Sequence, residues 1–219
     1  MACHTTMKTL FILHLCCISF IHTEQVELDS KPESLSDGAS TSVVLKQSSS
    51  TGSNHCFFPC LEFLELYHCR GLTEVANLPP SIKTLNIFDC GSLVSVSGEV
   101  PSLEKFEIKW CDGLTEVANL PPSIKTLNID YCGSLVSVSG EVPSLEKLEI
   151  WSCESLESLP NGPAHQAYSS LRVLRITQCP GIKQLPPSLQ QRLDHLREKT
   201  LDPHLFQGNL YLISWFHFN

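Results

Sequence analysis

The chain has 219 residues, 42% of them hydrophobic and 17% charged, with a formal net charge of −8. That is enough apolar material for one domain with a continuous core. The acidic balance argues against nucleic acid as a partner, because phosphate contacts need clustered Lys and Arg, and no apolar run reaches the roughly 18 residues of a membrane span.

Residues 1–23 read in two ways. Lys8 precedes an apolar run from Leu10 to Ile21, as in the h-region of a signal peptide. His14 interrupts that run, no small-x-small cleavage site follows, and Leu10, Leu13 and Leu15 fit a cryptic repeat equally well. Residues 24–55 are rich in Ser and Thr and lack a sustained period, which predicts a flexible segment. Val43, Val44 and Leu45 could supply one short strand there.

Residues 56–188 repeat themselves. Leu61, Leu64, Leu66, Cys69 and Leu72 set a pattern that recurs from Ile82, Leu103, Ile124 and Leu145 and, after a longer gap, from Leu171. Six copies of this wording predict an α/β-type leucine-rich repeat solenoid. Period-two alternation in each copy reads as a short strand, so parallel strands should stack about 4.8 Å apart on the concave face. The return halves carry Pro79-Pro80, Pro101, Pro121-Pro122, Pro143 and Pro186-Pro187. Proline predicts a mostly non-helical convex side of extended, turn or 3₁₀ backbone. Asn161 to Ser170 is an insertion that should bulge as a loop. Residues 189–200 have Leu189, Leu193 and Leu196 on one helical face and predict a short C-terminal capping helix. Residues 201–219 are an apolar tail without a regular pattern, expected to be poorly ordered.

Six of the eleven cysteines (Cys69, Cys90, Cys111, Cys132, Cys153, Cys179) occupy one slot of the repeat. They are expected to be buried free thiols packed as small hydrophobes, since stacked side chains with parallel vectors make poor disulfide geometry. Cys56-x-x-x-Cys60 has the spacing of a capping disulfide. Zinc-type Cys and His pairs are missing, so no metal is expected. Many reduced thiols favour the cytoplasm.

The stretches 71–111 and 113–153 are a near-duplicate. They differ only at Phe88/Asp130, Asp89/Tyr131, Phe106/Leu148, Lys109/Trp151 and Trp110/Ser152. Phe106/Leu148 is an apolar core swap of the kind cores tolerate. The other four differences fall just after the second core residue of a strand, at one rim of the sheet. Other exposed positions, such as Glu74/Glu116 and Ser97/Ser139, did not drift. The rim therefore marks the candidate partner-binding surface: Tyr67, His68, Phe88, Asp89, Lys109, Trp110, Asp130, Tyr131, Trp151 and Ser152. Exposed aromatic clusters favour protein interfaces. Two further columns are charged. Glu62, Lys83, Glu104, Lys125, Glu146 and Arg172 alternate in sign and should support the register. Glu65, Asn86, Glu107, Asn128 and Glu149 read as acidic, with a solvated face preferred over a basic partner.

No phosphate loop, nucleophile elbow or H-E-x-x-H motif occurs, so neither a catalytic site nor a nucleotide or other cofactor is expected. No N-x-[ST] sequon occurs, which counts modestly against secretion.

The wording of the repeats resembles the leucine-rich repeat region of plant intracellular disease resistance proteins, the coiled-coil/nucleotide-binding/leucine-rich-repeat type found in grasses. Leu78-Pro79-Pro80-Ser81-Ile82, Pro143-Ser144-Leu145-Glu146-Lys147-Leu148 and Ser169-Ser170-Leu171-Arg172 carry the resemblance, over roughly residues 30–200. It implies a non-catalytic module of plant defence in the cytoplasm, whose partner is a pathogen effector or a guarded host protein. The coiled-coil and nucleotide-binding domains of that type are missing from this chain, so nucleotide switching does not carry over. The alternative is a secreted leucine-rich repeat protein that inhibits a pathogen enzyme, supported by residues 1–23 acting as a signal peptide.

Overall fold

The computed structural model describes residues 11–14, 41–44, 61–76, 78–161 and 167–206. Cys56 and Cys60, most of residues 1–55 and the tail from residue 207 lie outside the described residues.

Among the described residues thirteen strands, numbered in chain order, form two parallel sheets. The first has eight strands, β1 (Phe11–His14), β3 (Phe63–Tyr67), β5 (Thr84–Phe88), β7 (Lys105–Lys109), β9 (Thr126–Asp130), β11 (Lys147–Trp151), β12 (Val173–Thr177) and β13 (Glu198–Leu201). The second has five, β10 (Ser137–Gly140), β8 (Glu116–Leu120), β6 (Ser95–Val96), β4 (Leu72–Ala76) and β2 (Thr41–Val44). Up to β11 the chain alternates between the two sheets, and β12 and β13 then follow in the first sheet, making a β-solenoid of about six turns.

The alternation seen in the sequence becomes the burial pattern. In β3 and β9 the second and fourth residues are buried and the others half-buried. Leu85, Phe106, Leu127, Leu148 and Leu174 line up across the ladder, as do Ile87, Ile108, Ile129, Ile150 and Ile176. Phe106 and Leu148, the apolar difference between the duplicate stretches, are both buried.

Two turns close each coil. After every cysteine of the slot, the N–H of the apolar residue three further on donates to the cysteine carbonyl, at 3.0–3.3 Å. Before each next strand the N–H of Ile82, Leu103, Ile124, Leu145 or Leu171 donates three residues back, at 3.0–3.2 Å. Between these turns the Val-rich return segments pair with one another as the second sheet, which proline alone did not foretell. At Gly140 (φ +140) the return strand crowds its neighbour. A Cβ there would sit 2.5 Å from the backbone of Leu120, and the β10–β8 register shifts beside it.

Three expectations change. The C-terminal helix α1 spans only Pro187–Arg192 and is followed by a 3₁₀ turn at Leu193–His195. The rest of the segment expected as helix becomes β13, because the edge of β12 needs partners: Arg197 and Glu198 donate to the Arg172 carbonyl at 2.8 and 3.1 Å, and Leu201 is buried. The insertion after Leu159 does not end as a plain surface loop. It sends Ala167 and Tyr168 into the core, and the Tyr168 hydroxyl donates to the Pro160 carbonyl. Finally, β1 pairs with β3, placing Phe11 and Leu13 opposite Leu64 and Leu66, two residues out of step with the repeat spacing read from Leu10, Leu13 and Leu15. No described helix is long and apolar enough to cross a membrane.

Candidate functional site

All ten rim residues are described, and they share one edge of the eight-stranded sheet. Tyr67, Phe88, Lys109, Asp130 and Trp151 are the last residues of β3, β5, β7, β9 and β11 and stand opposite one another. The next position in each coil (His68, Asp89, Trp110, Tyr131, Ser152 and finally Gln178) is left-handed, with φ between 51 and 57. Its N–H still completes the ladder: His68, Asp89, Trp110 and Tyr131 donate to the carbonyls of Phe88, Lys109, Asp130 and Trp151 at 2.9–3.0 Å. The left-handed residue turns the chain so that the following cysteine points inward. Each cysteine thiol then donates to the carbonyl two residues before it, at 3.3–3.7 Å. The letters of the sequence carried no sign of this backbone geometry.

The rim is two aromatic groups rather than one stripe. Tyr67 contacts Phe88 edge-on at 6.3 Å between centroids, and His68 lies against Tyr67 at 4.0 Å. Trp110 stacks on Tyr131 at 6.2 Å with 18° between planes, and Tyr131 tilts onto Trp151 at 5.2 Å. No ring contact joins Phe88 to Trp110 among the described residues; Asp89, paired with His68, and Lys109 lie between the groups. The second group is the open one, with Trp110, Tyr131 and Trp151 exposed by 50%, 39% and 43%. Ser152 continues this column and donates to the Gln178 side chain.

Beside the aromatics the sheet face is charged but internally neutralised. Lys109 bridges Glu107 at 3.0 Å and Asp130 at 3.2 Å, Lys105 reaches Glu107 at 2.9 Å, and Glu149 is held by Lys147 at 2.8 Å and Arg175 at 3.0 Å. The column read as acidic is therefore largely compensated. Burial pushes the Glu107 carboxyl up, but the two ammonium groups outweigh it and hold it below the usual range. Burial wins at Asp130, which is raised despite Lys109. In the sign-alternating column Lys83 pairs with Glu62 at 2.9 Å and Lys125 with Glu104 at 2.8 Å, whereas Glu146 and Arg172 form no ion pair with each other.

Two features were invisible in the sequence. The Oδ1 atoms of Asn86 and Asn128, on the same face, are buried without a hydrogen-bond partner. And the column of left-handed residues ends at Gln178 in an open cleft of about 460 Å³ lined by Glu154, Gln178, Pro180, Asp202 and His204.

The six slot cysteines are buried and free. No group of three or more His, Cys, Asp or Glu is placed to hold a metal ion among the described residues. No family model, curated protein or solved structure matches the chain.

Proposed function

We propose that the chain is a non-catalytic leucine-rich repeat module that recognises a protein partner through the rim around Trp110, Tyr131 and Trp151. The exposed stack on left-handed backbone carries this reading. An L-residue costs about 1–2 kcal/mol in that conformation, and an exposed indole buries little apolar surface in return. Trp110 and Tyr131 thus occupy positions where stability favours Gly, Asn or Asp. Strained, exposed aromatics on a rigid sheet edge have the composition of interface hot spots. The near-duplicate stretches add independent support, because they diverge at these same positions and keep their return turns. The resemblance of the repeats extends the proposal to plant defence in the cytoplasm, with a pathogen effector or a guarded host protein as the partner.

Replacing Trp110 and Trp151 together by Ala tests the proposal. A partner recovered with the wild-type chain should lose binding by at least about thirtyfold, as loss of a central aromatic anchor does. The circular dichroism and cooperative melting of the variant should persist. Unchanged affinity in a folded variant would refute the rim as the recognition surface.

A further inference from the structure

The charge pattern around the aromatic column selects one kind of partner. Each of the five lysines from Lys83 to Lys147 is held by a carboxylate of the chain itself: Lys83 by Glu62, Lys105 by Glu107, Lys109 by Glu107 and Asp130, Lys125 by Glu104 and Lys147 by Glu149. The lysines along the rim are thereby paired, while Lys183 donates to the carbonyl of Pro180, a cleft residue, at 2.7 Å. On the turn side of the column Asp112 and Glu154 directly follow Cys111 and Cys153 and are exposed. Glu154 also lines the open cleft at the end of the column, together with Gln178, Pro180, His204 and Asp202, whose carboxylate already accepts the Gln178 and Cys179 N–H groups.

Ring geometry restricts the occupant further. Trp110 stacks on Tyr131, and Trp151 meets Tyr131 at a 50° tilt. The column keeps 39–50% of each of these residues exposed. It is a good anchor for apolar side chains, with open flanks where a guanidinium can lie. From Trp110 to Gln178 is three coil steps, about 14 Å at the usual strand spacing. That matches an extended segment of four or five residues.

We propose that the aromatic column and its terminal cleft bind a basic polypeptide segment, with apolar residues on Trp110, Tyr131 and Trp151 and an arginine in the cleft between Glu154 and Asp202. The proposal rests on the protein-recognition reading above and names the partner's chemistry.

Two synthetic peptides of equal length, one alternating Leu and Arg and the other Leu and Glu, can be titrated into the full chain and followed by indole fluorescence and calorimetry. The Arg peptide should bind and the Glu peptide should not, and binding should weaken as salt is raised. Trp110→Gly with Tyr131→Gly should weaken the Arg peptide by at least about thirtyfold. Glu154→Gln should weaken it by about fivefold, the loss of one partly screened ion pair. Glu99→Gln, which removes the same charge from a return turn, should leave it unchanged. Equal binding of both peptides, no binding of either, or equal effects of Glu154→Gln and Glu99→Gln would overturn the proposal. If the natural partner is lost with Trp110→Ala and Trp151→Ala while the Arg peptide fails to bind, the recognition surface stands and the basic partner falls.

Discussion

Trp110 is held at φ 55 by its coil and not by its side chain, because the equivalent residues His68, Asp89, Tyr131, Ser152 and Gln178 share the conformation. The left-handed step lets one N–H stay in the ladder while the next residue turns into the core. Its cost falls on whichever residue sits there. A comparison of Trp110→Gly with Trp110→Ala isolates that cost, since both remove the indole and its stack on Tyr131. In an ordinary strand Gly is less stable than Ala by roughly 0.5–1 kcal/mol. At position 110 the order should invert, with Gly more stable by about 1 kcal/mol in urea denaturation; Ala the more stable variant would mean that the backbone is not left-handed. The aromatic identity of the rim was legible in the sequence because two near-copies disagree there. The strain was not, because only His68 and Asp89 are residue types enriched at positive φ, and a column of His, Asp, Trp, Tyr, Ser and Gln has no shared letter to betray a shared dihedral.

The strands of the solenoid were readable from alternation, but its end was not. Leu189, Leu193 and Leu196 fit a helical face, yet Pro187–Arg192 makes fewer than two turns before the chain extends again. Glu-Lys-Thr-Leu in β13 lacks the β-branched alternation that marks a strand, so its strand state comes from the unpaired edge it covers. Asp202, the residue after β13, completes the cap. In earlier coils the N–H after the strand meets a carbonyl of the next coil, and the sulfur of the next cysteine lies against the cysteine N–H before it. No further coil exists beyond Gln178 and Cys179 among the described residues, and the Asp202 carboxylate accepts both N–H groups, at 2.9 and 2.8 Å. Hydrogen bonds to a charged acceptor contribute about 1.5–3 kcal/mol when buried. Here one is exposed and the other part-buried, so Asp202→Ala should cost about 2 kcal/mol, and Asp202→Asn, which keeps one acceptor oxygen, less. The Gln178 and Cys179 amides should exchange faster with deuterium in Asp202→Ala while those of β7 and β9 do not. Unchanged exchange at the two amides would remove Asp202 from the cap.

The cysteine slot runs through the described coils and links their stability to pH. The sequence reading of six buried, unpaired thiols matches the structure, but not the contacts between neighbouring thiols. Cys90 is pushed from the ordinary 9.0 up to about 12, by its hydrogen bond to Cys111 first and then by burial, against an opposing contact from Cys69. Cys132 is also pushed up to about 12, mainly by burial. Cys153 and Cys179 shift oppositely, up and down, each chiefly through its contact with the other. Cys90 and Cys132 define a window at high pH. Both native values exceed the unfolded one, so the folded state retains protons that the unfolded chain has released. The stabilisation is complete below about pH 9 and drains away as pH rises toward 12, by about 1.4 kcal/mol per unit and per thiol where only the unfolded chain is ionised. The urea midpoint should hold steady from pH 7 to 8 and fall between pH 9 and 11. Tyrosines titrate in the same range, so the decisive comparison is with Cys132→Ala. That variant should be less stable at pH 7, from lost packing, yet fall less steeply above pH 9 than the wild type. Parallel pH profiles for the two proteins would show that the Cys132 thiolate is as accessible in the folded solenoid as in the unfolded chain, and the slot would then be open to solvent rather than part of the core.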